Sequence, residues 1–340
     1  MQNKINLGII GKNFGYHVIY KSFLKNKKYK IKGFAFRSKK IEELKIPKDV
    51  NIYSSWKKLL LNKKINAVAV AAPPALHKSI IKFAIKNNKH IFCEKPFTCS
   101  YKEANFICNL INRKNFLSHM VNYEFAEIGA FAFFKKKIIN NIKIKKIALN
   151  WFININKRSS THWKENHLKG GGVIFNYVCH AIYYLEFLFG KIISVKTNAT
   201  LEKKNKIKTL EGMIFFENGL FAKLSVKVGQ IKKKFYPTHQ LKILSDKKNY
   251  ILKTNLNNLS DKFKLISVDK NSNKSEKILF KSKKNKNDFR IEPTLKNSKK
   301  FSTWILKDEI QTPNFFDARR IHLIIDKMII SSKRKKKIYI

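Results

Sequence analysis

The feature that most constrains this chain is how it begins. Ile5–Ile10 is a short apolar run of the buried-strand kind, it breaks at Gly11, and a helical pattern starts at Phe14. The connecting stretch reads Gly8-Ile9-Ile10-Gly11-Lys12-Asn13-Phe14-Gly15. A strand that hands small residues to a helix start lets backbone N–H groups approach an anion, and the helix dipole favours negative charge there. Dinucleotide folds grip a pyrophosphate with such a turn. Here Asn13 stands at the second glycine position and the third glycine is displaced to Gly15, so Gly11, Asn13, Phe14 and Gly15 are the candidate contacts.

The alternation continues. Residues 31–36, 67–72, 90–93 and 116–121 are further strand-like runs. Between them, residues 54–61, 76–87 and 104–111 place apolar side chains at helical spacing, and Ser100 with Glu103 forms a capping-box pattern. Regular strand–helix alternation implies a parallel sheet with helices on both faces, an α/β doubly wound domain over residues 1–122.

After Asn122 the pattern changes. Residues 124–139 read as a helix, 143–153 as a long strand and 172–189 as an apolar helix. Strand candidates follow at 192–200, 208–216, 220–228, 240–244, 250–253, 263–268 and 277–280, with Glu217-Asn218-Gly219 as a hairpin turn. Residues 281–300 read as a solvated loop running into a helix. A last helix, 315–331, precedes the basic tail Lys333–Lys337 and can pack back on the first domain. Residues 123–340 are therefore predicted as an α+β domain with a mostly antiparallel open sheet.

Charge is the compositional anomaly: 72 Lys+Arg against 22 Asp+Glu, a net of +50 in 340 residues. Such a balance raises nucleic acid, membrane surfaces or anionic small molecules as partners. Only seven of the basic residues are Arg, the residue that base reading and bidentate phosphate clamps favour. The lysines are spread over every segment, no recognition helix or aromatic-interleaved basic strand stands out, and no specific nucleic-acid partner is expected.

Residues 170–190 are long enough to cross a bilayer but carry Asn176, His180 and Glu186, each costly in hydrocarbon, so a buried helix and no membrane partner are expected. The N-terminus shows no apolar core with a small-residue cleavage site. Cys93, Cys99, Cys108 and Cys179 form no CxxC pair. Both observations are read as a reduced cytoplasmic setting.

In an open parallel sheet the carboxyl ends of the strands face the ligand crevice. Three stretches fall there. Phe36-Arg37-Ser38-Lys39-Lys40 follows the second strand, where an acid would hold a ribose 2′-OH; Arg37 and Ser38 suit a 2′-phosphate instead, which favours NADP(H) over NAD(H). Ala72, Pro73, Pro74 and His77 follow the fourth strand, and Glu94, Lys95 and Pro96 the fifth.

Taken in order, Gly11…Gly15, Pro73-Pro74-Ala75-Leu76-His77, Glu94-Lys95-Pro96 and Gly170-Gly171-Gly172 through Gly190 resemble the glucose–fructose oxidoreductase/inositol dehydrogenase (Gfo/Idh/MocA) family over nearly the whole chain. The resemblance implies a Rossmann domain joined to an α+β domain whose open sheet often mediates oligomerisation, here a homodimer or tetramer. It implies NAD(H) or NADP(H), and a hydride exchanged with a hydroxyl carbon of a sugar, nucleotide-sugar or cyclitol. It places the Lys of Glu-Lys-Pro near nicotinamide and substrate, with the Lys–Pro peptide often cis.

Asn176, His180, Tyr183 and Tyr184 form a polar stripe on the apolar helix. Oxidising an alcohol needs a base for the hydroxyl proton, and histidine titrates near pH 6.5, so His180 is the candidate base. Family members carry Asp and His at this spacing; Asn176 replaces the Asp and can orient a hydroxyl but carries no charge. The candidate catalytic set is Lys95, His180 and Asn176. Tyr123, Trp163, Lys164 and Tyr184 are candidate substrate contacts. His162 and His167 flank Trp163 without metal-ligand spacing, and no metal is expected. The Asn at 176 keeps a second reading open: a cofactor-binding family member with altered chemistry, such as elimination, epimerisation or sensing.

Overall fold

The structure is a computed structural model that describes residues 4–36, 44–154, 163–166, 169–202, 206–229, 238–255, 263–269, 276–281 and 288–340. The chain forms two compact units. The first comprises residues up to Glu124 together with Asn166–Gly171 and Arg290–His322; the second comprises Phe125–Glu165, Gly172–Phe289 and Leu323–Ile340.

The first unit is built on strands β1 Ile5–Ile10, β2 Tyr29–Ala35, β3 Asn51–Tyr53, β4 Ala67–Val70, β5 His90–Cys93 and β6 His119–Val121. They lie in the order β3-β2-β1-β4-β5-β6, every pairing parallel. This is the doubly wound arrangement, and the order reverses between β1 and β4, where the crevice opens. β4 is buried along its whole length, as a central strand covered on both faces must be. Ser100 Oγ accepts from Glu103 N at 3.3 Å, and Glu103 Oε2 accepts from Cys99 N at 3.1 Å, so the capping box forms with its carboxylate one residue further back than the standard motif.

The helix that 281–300 was expected to run into is Ile291–Lys307. It buries Ile291, Leu295, Phe301 and Trp304, while lysines occupy the outer face. Dense Lys and Asn hide the periodicity in the sequence, because the charged face dominates the composition. Tyr29 Oη donates to Ser298 O at 2.9 Å and Ser22 Oγ to Ile291 O at 2.9 Å, which ties this helix to β2 and to the short helix Lys21–Leu24.

The second unit carries strands β7 Ile144–Asn154, β8 Ile192–Glu202, β9 Lys206–Phe216, β10 Phe221–Gly229, β11 Thr238–Ser245, β12 Lys248–Asn255, β13 Lys264–Asp269, β14 Glu276–Lys281 and β15 Ile338–Tyr339. They form one nine-stranded open sheet in the order β14-β13-β12-β11-β7-β10-β9-β8-β15. Every neighbour is antiparallel except β10 and β7, which run parallel. Gly219, with φ +82°, turns the β9–β10 hairpin at the expected place. The closing helix, Phe315–Arg334, belongs to the first unit as far as His322 and to the second from Leu323 on.

The apolar helix forms as a wide π-type stretch, Ile174–Val178, running into the α-helix Cys179–Phe189. Among the described residues no helix is long and apolar enough to cross a membrane, and no cluster of His, Cys, Asp and Glu could hold a metal ion.

Candidate functional site

The glycine turn is built by a close approach of two strand ends. Gly11 has φ +120°, its N–H donates to Ala35 O at 2.9 Å, and Ala71 N–H donates to Ile10 O at 2.7 Å. A Cβ on Gly11 would fall on the Ala71 carbonyl oxygen and stand 3.0 Å from Ala72 N. Only glycine fits, for the backbone conformation and for the space. Gly15 is less constrained: a Cβ there would meet Ile9 Cγ2 at 3.4 Å and Ala71 Cβ at 3.6 Å, ordinary contact. Asn13 is exposed and Phe14 half-buried at the start of the helix that follows. A left-handed glycine, an exposed Asn13 and a helix start at the carboxyl end of β1 fit the pyrophosphate of a dinucleotide. Arg37 and Ser38 lie outside the described residues.

The Pro-Pro turn opens the helix Pro74–Lys86, with Ala72 half-buried and Pro73 exposed. His77 is fully buried. Its Nε2 lies 2.7 Å from Ala72 O, and its Nδ1 lies 3.1 Å from Pro96 O and 3.2 Å from Phe97 O. Its ring therefore ties the loop after β4 to the loop after β5. Burial lowers its pKa. Cys93 Sγ is 3.4 Å from His77 Nδ1, but burial pushes that thiol well up, so the pair holds no thiolate nucleophile. Gly170, the first of the glycine run, also packs here: at φ +75° its Cβ would stand 2.7 Å from Pro74 Cβ and 3.3 Å from Cys99 Sγ.

In the Glu-Lys-Pro turn the Lys95–Pro96 peptide is cis. Lys95 is half-buried between buried Glu94 and buried Pro96. Glu94 Oε1 accepts from Asn122 Nδ2 at 2.6 Å. Asn122 Nδ2 also donates to Thr294 Oγ1 at 3.1 Å, and Asn122 Oδ1 accepts from Asn297 Nδ2 at 3.0 Å. Burial, then the neighbouring Glu124 carboxylate, push the Glu94 carboxyl up to about 8, against the pull of the Asn122 bond, Lys95 and Arg290. The Arg290 guanidinium lies over the Phe14 ring, 5.0 Å from its centroid. The first turns of the Ile291–Lys307 helix thus reach toward both candidate cofactor turns of this unit.

Sequence reasoning pointed to the Tyr123-Glu124 stretch as one that could line the substrate side but missed Asn122, Thr294, Asn297 and Arg290. Asn122 and Glu124 follow β6, so a polar pair at a strand's carboxyl end was a usable signal. The residues from 290 to 297 gave none, because nothing local says that a helix so distant in sequence returns to the first unit.

In the second unit, His180 is buried and stacks on Phe125 at 4.3 Å and 19°. Asn176 Nδ2 donates to Gly172 O, four residues back, at 2.9 Å. Tyr184 is fully buried and its Oη lies 2.7 Å from His239 Nε2. It packs in the core of this unit. Tyr123, in the first unit, is likewise almost wholly buried. Trp163 and Lys164 sit in a short turn, both half-buried, with the Lys164 ammonium 5.5 Å from the Trp163 ring centroid.

Comparison with known proteins follows these lines. Residues 5–123 match the family model for the NAD-binding Rossmann fold of an oxidoreductase family, and residues 135–340 match that family's C-terminal alpha/beta domain. An uncharacterized oxidoreductase of Schizosaccharomyces pombe is 30% identical over 172 residues, which is 49% of this chain and 45% of that one. The 2,7-anhydro-N-acetylneuraminate hydratase of Escherichia coli is 30% identical over 142 residues, 41% of this chain and 37% of that one. The chain thus spans about half the length of the curated relatives it matches, or less. Levoglucosan dehydrogenase, solved with NADH and levoglucosan, has the same fold: TM-score 0.83, 17% identity, covering 99% of both chains. With both domains of the family matched in order, the chain belongs to the Gfo/Idh/MocA oxidoreductase family and has its NAD(P)-binding Rossmann fold.

Proposed function

We propose that this protein transfers a hydride between NADP(H) or NAD(H) and a hydroxyl carbon of a sugar, nucleotide-sugar or cyclitol. The single observation that carries the reading is the pair of turns at the carboxyl ends of β1 and β5: a Gly11 that admits no side chain, and a Lys95 presented from a rigidly held Glu-Lys-Pro turn. When bound, the nicotinamide supplies the hydride acceptor or donor. Gly11, Asn13 and Phe14 hold the pyrophosphate end. Lys95 offers an ammonium to a ribose or substrate oxygen and polarises the reacting hydroxyl. His180 takes the hydroxyl proton in the oxidative direction and returns it in reverse. Asn176 orients a hydroxyl without charge. Arg37 and Ser38 favour NADP(H) through a 2′-phosphate, and the high positive charge favours anionic sugars. The setting is a reduced cytoplasm, where the four cysteines stay free thiols. Assembly as a dimer or tetramer through the open sheet belongs to the same reading and is checked by light scattering.

Titrating the protein with NADPH and NADH while following its intrinsic fluorescence tests the reading. Quenching by micromolar NADPH, with turnover in a panel of free and nucleotide-linked sugars, is the expected result. Absence of any response to either cofactor overturns it.

A second reading, altered chemistry on the same cofactor, is favoured by one observation: the Asn176 amide is committed to the Gly172 carbonyl and bears no charge. The relative named a hydratase supports it. Cofactor bound without net consumption while a sugar is dehydrated or epimerised would favour this reading over the first.

A further inference from the structure

We propose that Asn122 is the positioning residue of the Glu94-Lys95-Pro96 turn, and that Thr294 and Asn297 lock its amide in place from the Ile291–Lys307 helix. The inference rests on the reading of Lys95 as a working residue and concerns how this chain aims it.

The turn leaves β5 after Cys93, and at that point backbone pairing with the sheet stops holding it. Glu94 N–H still donates to Val70 O at 2.8 Å. Beyond that, side chains do the holding. On the far side of Lys95, the Pro96 and Phe97 carbonyls face the buried His77 ring. On the near side, residue 122 makes two contacts: its backbone N–H donates to Cys93 O at 2.8 Å, and its side-chain amide donates to Glu94 Oε1 at 2.6 Å. Both residues that precede Lys95 are therefore fixed from one position. Lys95 sits between these two anchors, half-buried in a turn whose flanking residues are buried.

The anchor is itself held. Asn122, Thr294 and Asn297 are all fully buried. Both N–H groups of the Asn122 amide are used, on Glu94 and Thr294, and its oxygen accepts from Asn297. A buried amide with both its donors and its acceptor engaged has one orientation available. The chemistry requires an amide. An Asp at 122 would set a carboxylate oxygen against Glu94, beside Glu124, in a site where burial already raises the Glu94 pKa. An apolar residue would leave Glu94, Thr294 and Asn297 without their shared partner.

The test compares the full-length protein with Asn122→Asp, Glu94→Gln and the double variant Asn122→Asp/Glu94→Gln. The readout is the trace acetylation rate of Lys95 by acetic anhydride, relative to surface lysines such as Lys57, mapped by peptide mass spectrometry at about pH 9, above the raised Glu94 pKa, where the Glu94 carboxyl is ionised and cannot itself donate to the new carboxylate. No cofactor enters the assay, so it stands apart from the cofactor titration; failure of that titration would sink the oxidoreductase reading and leave this one measurable. Asn122→Asp is expected to change the relative rate at Lys95 several-fold and leave Lys57 unchanged. The double variant restores it, because a Gln at 94 donates to the new carboxylate and re-forms the bond with its direction reversed. Where Asn122→Asp fails to fold, Thr294→Val carries the same measurement, again with Lys95 expected to change selectively. A Lys95 rate equal to wild type in the folded Asn122→Asp or Thr294→Val protein, or no recovery in the double variant, overturns the proposal.

Discussion

Tyr184 Oη lies 2.7 Å from His239 Nε2 inside the second unit, both side chains fully buried. The helix and β11 are joined there by a polar pair set among Trp151, Phe131 and Phe263. Burial pushes His239 down to about 3, so the ring is neutral. Tyr184→Phe removes the hydroxyl that pairs with His239 Nε2, and leaving a buried imidazole nitrogen unsatisfied costs about 1–3 kcal/mol. Chemical denaturation should show that loss, while the affinity for NADPH, proposed to bind at the glycine turn of the first unit, should stay at the wild-type value.

Gly170 against Pro74 gives the second prediction. A methyl group at 170 meets Pro74 Cβ at 2.7 Å, and the residue sits at φ +75°. Gly170→Ala combines overpacking with backbone strain, each costing about 1–3 kcal/mol. The thermal midpoint should fall well below that of Gly171→Ala, measured by circular dichroism.

Gly11→Ala tests the cradle. Its Cβ would fall on the Ala71 carbonyl, so the ends of β1 and β4 must separate before the side chain fits. NADPH affinity should drop by about tenfold or more, a cost of roughly 1.4 kcal/mol, read by fluorescence titration. Gly15→Ala, with ordinary contacts only, should bind within a few-fold of wild type.

Stability should fall on both sides of neutral pH, for separate reasons. Burial pushes His90 down to about 4 and His119 and His322 down to about 3. Their ring nitrogens accept from the backbone N–H groups of Ser118, Phe315 and Thr98. The unfolded chain takes up these protons near pH 6.5 and the folded one only far below, so stability present above about 6.5 is lost as pH falls. Glu94 works the other way. With its folded pKa raised to about 8, the folded chain keeps a proton that the unfolded chain releases in the ordinary carboxylate range, so that contribution is lost as pH rises toward 8. Denaturation midpoints across pH should show both slopes, and Glu94→Gln should flatten the alkaline one alone.

How much of this was legible in the sequence follows the range of the interactions. Period-two and period-3.6 patterns act over a few residues, so the parallel sheet, the capping box at Ser100, the β9–β10 hairpin at Gly219 and the glycine turn at Gly11 could be read locally. The family resemblance rested on ordered short motifs of the same kind. The parallel pairing of β7 with β10, in a sheet otherwise antiparallel, follows from no local pattern. Nor does the fate of individual polar residues. Tyr184 and His180 stand on one helix stripe, yet what a side chain meets across the packing interface decides its role: Tyr184 meets His239, and His180 lies against Phe125. The Glu94–Asn122–Thr294 chain joins residues from three distant parts of the sequence. The sequence by itself determined the domain types and where the backbone must turn, because those depend on neighbours along the chain. Only the tertiary structure decided which polar groups are buried together and what holds Lys95 in place, because hydrogen bonds in a core are made between segments that the sequence keeps apart.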